Sequence, residues 1–246
     1  MNELFSRNIL YWGKDAQKKL CNSRVAVFGL GGVGGYCAEM LARSGVGSLI
    51  LVDFDKVSVS NINRQIIATH STIGKPKTEL FYSRLKDINP NVEIEFDSNF
   101  YEEGLNYNDV HFVADAIDTM RSKINLLVKC YTEKIPVISS MGAGNRVDPT
   151  KLYISDISEI KDKKAPFVSN VLYQLKKYNI EKGITVVTSD EKPFVQEKIV
   201  EKEQICNKNG EQIEFNKIVP SSTPFVASTA GIFMASYIVQ QIISKQ

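Results

Sequence analysis

The first half of the chain holds a set of residues suited to gripping a polyphosphate and offsetting charge on it. Gly29-Leu30-Gly31-Gly32-Val33-Gly34-Gly35 places glycines at Gly29, Gly31 and Gly34. That is the spacing a phosphate-binding turn needs. The early glycines permit a tight turn and close backbone approach, and the last lets a helix pack on the preceding strand. Amides at the start of that helix then face the phosphates. Asp53 ends the next aliphatic run, roughly twenty residues on, where an acid accepts hydrogen bonds from ribose hydroxyls. A dinucleotide dehydrogenase carries the same glycines, so the turn alone does not choose the nucleotide. The stretch after it does. Asp53-Phe54-Asp55-Lys56-Val57-Ser58-Val59-Ser60-Asn61-Ile62-Asn63-Arg64-Gln65 concentrates amides and charge, and Lys77 follows. Arginine offers phosphate a planar fork and lysine a compact charge, so Asn61, Arg64 and Lys77 could converge on a phosphate chain. Asp118 ends the run Ala114-Asp115-Ala116-Ile117-Asp118. A carboxylate on that edge can hold magnesium against phosphates. A surface turn at Asp55-Lys56 and a surface ion pair at Arg64 would explain those residues singly, but not the set.

These side chains need a scaffold that brings strand ends together. Short aliphatic runs at 24–29, 48–53, 92–96, 111–117 and 136–139 read as strands, and helical patterns lie at 33–44, 75–86 and 121–132. Alternation of this kind calls for an α/β fold, a Rossmann-like, mostly parallel sheet flanked by helices. After Gly142-Ala143-Gly144 the pattern changes. Strands are expected at 151–157 and 183–189, a helix at 165–178, and a solvated loop or exposed hairpin over 197–217. The apolar stretch 224–243 is interrupted by Ser228, Thr229, Ser236, Gln240 and Gln241. It reads as a terminal helix packed on the sheet rather than a membrane span. The whole chain, 1–246, is expected to form one domain with a soft boundary near 145, a nucleotide-binding half followed by a substrate and dimer half.

Thirty basic residues against 28 acidic ones leave a net charge of +2. Any nucleic-acid contact must therefore come from a local patch. Cys21, Cys37, Cys130 and Cys206 form no Cys-x-x-Cys pair, so neither a zinc knuckle nor a redox dithiol is readable. The first residues lack the basic-then-apolar pattern of a signal peptide. A cytoplasmic protein of a reducing compartment is expected.

Taken together, these residues resemble the ubiquitin-activating-enzyme-like superfamily of ATP-dependent carboxylate adenylyltransferases. The resemblance rests on 24–35, Gly45-Val46-Gly47, Asp53-Phe54-Asp55, Ser60-Asn61-Ile62-Asn63-Arg64-Gln65, Gly74-Lys75-Pro76-Lys77, Ile88-Asn89-Pro90 and Asp115-Ala116-Ile117-Asp118. It implies that Gly29, Gly31, Gly32 and Gly34 cradle ATP with Asp53, Asp55 and Gln65, and that Asn61, Arg64 and Lys77 stabilise the α-phosphate during attack. It implies Asp118 as the Mg2+ ligand, and Arg7 as a residue reaching into the site of a partner across a homodimer.

The second half narrows the resemblance. Superfamily members that activate sulfur-carrier proteins usually hold zinc with two Cys-x-x-Cys pairs, which this chain lacks. The stretches 142–150, Asp156-Ile157, 186–193 and Pro220-Ser221-Ser222-Thr223-Pro224-Phe225-Val226 resemble the tRNA threonylcarbamoyladenosine dehydratase branch. That resemblance implies an ATP-dependent, ligase-like enzyme. It would adenylate the threonyl carboxylate beside the tRNA anticodon and let intramolecular attack expel AMP. The nucleophile belongs to the substrate, which fits Cys206 as a loop thiol without a thioester role. The implied partners are tRNA carrying threonylcarbamoyladenosine, a second copy of the chain and a cysteine-desulfurase-type sulfur-transfer protein. Where relatives carry an arginine-rich helix, this chain offers Lys161, Lys163, Lys164, Lys176 and Lys177, with Arg146 the only arginine beyond 145. The alternative is an adenylyltransferase for the C-terminal glycine of a ubiquitin-like sulfur carrier.

Overall fold

The computed structural model describes residues 3–98, 109–197 and 219–244 in full, and 200–206 and 212–218 as backbone. The chain opens with a helix the sequence pattern did not announce, α1 (Ser6–Cys21). Gly13, at φ 85°, breaks its helical geometry midway. Then come β1 (Arg24–Phe28), α2 (Gly34–Ser44), β2 (Ser48–Val52), α3 (Lys77–Ile88), β3 (Glu93–Asp97), β4 (Phe112–Asp115), α4 (Met120–Glu133) and β5 (Val137–Ser140). β6 (Leu152–Asp156), α5 (Pro166–Lys176), β7 (Thr185–Ser189), β8 (Val200–Cys206), β9 (Gln212–Ile218) and α6 (Pro224–Ser244) complete it.

Seven strands form one sheet in the order β3-β2-β1-β4-β5-β7-β6, parallel throughout except for β6 against β7. The expected α/β architecture is present. Phe28 pairs with Val52 on one side and Asp115 on the other, so β1, β2 and β4 end level. Burial on both faces explains the unbroken aliphatic runs. Val25 and Val27 join the core beneath α2, α3 and α6, while Ala26 and Phe28 join the core beneath α4 and α5. Val226, Ala230, Met234 and Ile238 of α6 are buried in the first of these. A Cβ on Gly231 would fall inside the Val33 carbonyl of α2, so only glycine allows the two helices to approach so closely.

Element bounds shift where local chemistry intervenes. The third helix begins at Lys77 rather than 75, because Pro76 holds an extended ψ of 134° as its cap. The strand expected over 111–117 stops at Asp115, whose Oδ1 accepts the Ile117 N–H (3.0 Å) and turns the chain away. In the segment 197–217 the backbone pairs as a separate antiparallel hairpin, β8 with β9, the second of the two expectations. The side chain of Cys206 lies outside the described residues.

Candidate active site

Asp53 stands at the carboxyl end of β2, 9% exposed, and braces the glycine turn directly. Its Oδ2 accepts the Leu30 N–H at 2.6 Å and its Oδ1 the Asp55 N–H at 2.8 Å. Burial pushes this carboxyl up from its ordinary value, while Lys77 and those two amides pull it back. Gly29 adopts φ +85°, and a Cβ there would sit 2.7 Å from the Ala116 carbonyl oxygen. The turn is thus wedged between β2 and the loop after β4, with no room for any residue but glycine.

Lys77, first residue of α3, is 4% exposed. Its Nζ lies 2.8 Å from Asp55 Oδ2 and 3.5 Å from Asp53 Oδ2. Asn61 ends a short 3-10 turn capped by Ser58; its Oδ1 accepts the Ser58 N–H at 3.1 Å, leaving the amide N–H2 as what it can offer a ligand. Arg64 follows. Its Nη1 donates to Ser60 O (2.7 Å) and Asn63 Oδ1 (2.9 Å), so Nε and Nη2 remain for an anion. Burial draws its guanidinium down from the ordinary value, and the charge of Asp118 opposes that. Arg64 and Asp118 therefore feel one another across the pocket.

Asp53, Asp55, Asn61, Arg64, Lys77 and Asp118 line one cavity of about 470 Å³, together with Gly29, Gly31, Gly32 and Gln65. It opens between the ends of β1, β2, β4 and β5, where the strand order reverses around β1. Ligands of open α/β sheets bind at that place. Gly34 does not line it. Its part is packing, since a Cβ there would collide with the Gly29 carbonyl. Arg7 does not line it either. It is exposed on α1; Phe5 packs under Gly45, and Asn8 Nδ2 donates to Arg43 O (3.3 Å) at the far end of α2.

The far wall comes from residues that the sequence reading carried only as part of a resemblance, without a role in the site. Asn145, at φ +61°, is a hub: its N–H donates to Ser221 O (2.8 Å) and its Oδ1 accepts from Ser221 N (2.8 Å). Asn63 Nδ2 donates to Ser222 O (2.9 Å) from the opposite side. The strap before α6 is pinned to both halves of the chain. Arg146 is buried and donates to Gly142 O (2.8 Å) and Glu191 O (3.2 Å). It organises the wall rather than offering charge at the surface. Only the left-handed Asn145, next to a glycine-rich stretch, carried a signal for this clasp.

The level strand ends, the glycine turn and the convergent cations define a nucleotide-binding protein of the doubly wound class. The match to the ThiF family model runs over residues 5–243, and the chain belongs to that family. It is 44% identical to the tRNA threonylcarbamoyladenosine dehydratase of Bacillus subtilis over 97% of this chain and 94% of that one. It superposes on the Escherichia coli tRNA N6-threonylcarbamoyladenosine dehydratase in complex with ATP with a TM-score of 0.82 and 26% identity, covering 98% of this chain and 94% of that one. A molybdopterin-synthase adenylyltransferase of Salmonella typhimurium is 37% identical, over 58% of this chain and 59% of its own.

The site fits ATP on its own geometry. A Cβ on Gly32 would press on Ala227 Cβ at 3.2 Å and on Arg64 Cγ and Arg64 O at 3.3 Å, so a bare backbone leaves the most room beside the arginine. Buried Gln65 Oε1 lines the pocket with no hydrogen-bond partner in the protein. For magnesium the donor set is narrow. Among the described residues no three His, Cys, Asp or Glu cluster, and Asp118 lines the pocket without an ion-paired lysine such as holds Asp55. One carboxylate completed by phosphate oxygens and water suits Mg2+, which keeps much of its hydration.

Proposed function

We propose that this protein is an ATP-dependent tRNA threonylcarbamoyladenosine dehydratase. The observation that carries this reading is the convergence of Gly31, Gly32, Asp53, Asn61, Arg64, Lys77 and Asp118 on one cavity at the strand ends. The near full-length likeness to named dehydratases supports it. The substrate carboxylate attacks the α-phosphorus of ATP, forming a C–O–P link and releasing pyrophosphate. A nitrogen of the substrate's own threonylcarbamoyl group then attacks the activated carbonyl, closes a five-membered ring and expels AMP. The ring nitrogen loses its proton and the carboxyl its oxygen, so the net change is loss of water at the expense of ATP.

The protein's part is charge and placement. Gly31 and Gly32 admit the phosphates, and Asp53 takes the ribose while bracing the turn. The Arg64 donors Nε and Nη2, Lys77 and the Asn61 amide face the phosphoryl oxygens, on which charge builds in the transition state. Mg2+ at Asp118 would neutralise charge on the departing pyrophosphate. Lys77 would exchange its hold on Asp55 for phosphate, so Asp55 acts as its placeholder.

Arg7 stands far from the cavity of its own chain, which supports a homodimer in which it serves the partner's site. The tRNA would enter past Lys161, Lys163 and Lys164, exposed on the stretch that leads into Ala165, Pro166 and Phe167 of the pocket wall. Lys176, the last residue of α5, and Lys177, its cap, add exposed basic charge. A sulfur-transfer partner of the cysteine-desulfurase type stays a proposal without a surface assigned to it. One sheet runs through residue 145, which favours a single adenylation domain. Burial of α6 against α2 accounts for its apolar length without lipid and agrees with a cytoplasmic protein. The carrier-protein reading is less favoured, because likeness to those adenylyltransferases covers little more than half the chain.

The test is nucleoside mass analysis of threonylcarbamoylated tRNA after incubation with protein, ATP and Mg2+. The reading expects the modified nucleoside to lose one water and AMP to appear in equal amount. An unchanged nucleoside, with adenylation of a Gly-Gly-ending carrier instead, would overturn it.

A further inference from the structure

Beneath the pocket floor lies a charged cluster that does not line the pocket itself. Lys123 of α4 and Asp115 of β4 are both 0% exposed and paired through Lys123 Nζ and Asp115 Oδ2. Ser139 of β5 completes it, donating from Oγ to Asp115 Oδ2 (2.6 Å) and accepting from Lys123 Nζ (3.1 Å). A buried ion pair is a poor way to gain stability, since well-packed apolar residues of the same volume do as well or better. This one has a second output. Asp115 Oδ1 accepts the Ile117 N–H at 3.0 Å, and the neighbouring Ala116 N–H is fixed on Phe28 O at 2.8 Å. The two bonds set the path of the chain into Asp118. Lys123 Nζ also stands 5.9 Å from the centre of the Phe167 ring, part of the pocket wall.

We infer that Lys123, Asp115 and Ser139 are positioning residues for Asp118. The ion pair locks the Asp115 carboxylate so that Oδ1 holds the Ile117 amide, and the loop then presents Asp118 toward the phosphates at a fixed point. This rests on the reading of Asp118 as the magnesium-holding carboxylate of an ATP site. A leucine-like core at these positions would pack equally well but could not hold that amide.

The experiment measures ATP affinity by calorimetry, once with Mg2+ and once with EDTA, on the full chain and three variants. Ser139→Ala removes one bond. Asp115→Leu with Lys123→Met removes both charges and the acceptor for the Ile117 amide together, so no charge is left buried alone. Asp118→Asn is the reference. The inference expects EDTA affinity to match the unaltered chain in the Ser139→Ala and double variants, and the magnesium-dependent gain to fall about tenfold or more in the double variant, the scale of outer-shell effects. Ser139→Ala should lose a smaller part of the gain. A double variant that melts earlier but keeps the full gain would show a merely structural cluster and overturn the inference. If Asp118→Asn itself keeps the gain, the magnesium reading of Asp118 fails and the positioning role falls with it.

Discussion

In the proposed mechanism the chemistry depends most on Arg64 and Asp118, and the charge of Asp118 favours the charged form of Arg64. Arg64 spends Nη1 on Ser60 and Asn63, which fixes the plane of its guanidinium before any ligand arrives. Donors held in place in this way act on developing charge without reorganising at the moment of reaction. Arg64→Ala should therefore lower turnover by about 10²–10³-fold with an unchanged melting temperature, measured by AMP release and thermal unfolding. Asp118→Ala should abolish magnesium-dependent turnover and leave the fold intact; turnover at the rate of the unaltered chain would remove its role. Asp53 differs from both. It braces the turn through Leu30 as well as facing the pocket, so its loss would damage the cradle itself.

At the scale of elements, α2 must hold its N-terminus against the pocket, and Glu39 is its anchor. This carboxylate, 3% exposed, is gripped by Arg84 of α3 at 2.6 Å and Arg43 at 2.8 Å. Burial pushes Glu39 up, but hydrogen bonds and charge from Arg84 and Arg43 outweigh it and hold the group below its ordinary 4.5. A depressed acid contributes stability above its unfolded value, and that stability drains as pH falls through the folded one. Glu39→Gln should cost about 2 kcal/mol at neutral pH, with the deficit closing as pH falls through the lowered carboxylate range in a pH series of thermal melts. A constant deficit across the series would contradict the ion-pair account. The elements legible in the sequence were those with an unbroken signal: aliphatic strands buried on both faces, and the glycine turn wedged against Ala116. The helix over Ser6–Cys21 was missed although Ile9, Trp12, Ala16 and Leu20 recur with helical spacing, because Gly13 in its middle reads as a breaker. Of the candidate residues, those at strand ends could be read from their place after an aliphatic run. Lys123 could not, because a lysine on a helix reads as solvated and only the sheet shows it facing Asp115. Asn145 and Asn63 clasp a strap far away in sequence, a pairing that no local pattern encodes.

At the scale of the molecule, Arg7 lies outside the lining of its own pocket, and in the proposed homodimer it serves the partner's site. Arg7→Ala and Arg64→Ala homodimers should both be inactive, and mixing them should restore part of the activity through hybrids holding one intact site. No recovery would argue against a shared site. The route without a thioester makes its own demand on thiols. Burial pushes Cys130 up to about 12 and Cys37 higher still, while Cys21 is exposed. Cys37 and Cys130 should resist alkylation until the chain unfolds, and Cys206→Ser should leave turnover nearly unchanged; an inactive variant would revive a thioester intermediate. The central claim is that the cavity adenylates a carboxylate borne by modified tRNA. ATP–pyrophosphate exchange tests it most directly, run with threonylcarbamoylated tRNA, with unmodified tRNA and with a Gly-Gly-ending carrier protein. The account predicts exchange with the modified tRNA alone, and exchange with the carrier but not the tRNA would contradict it.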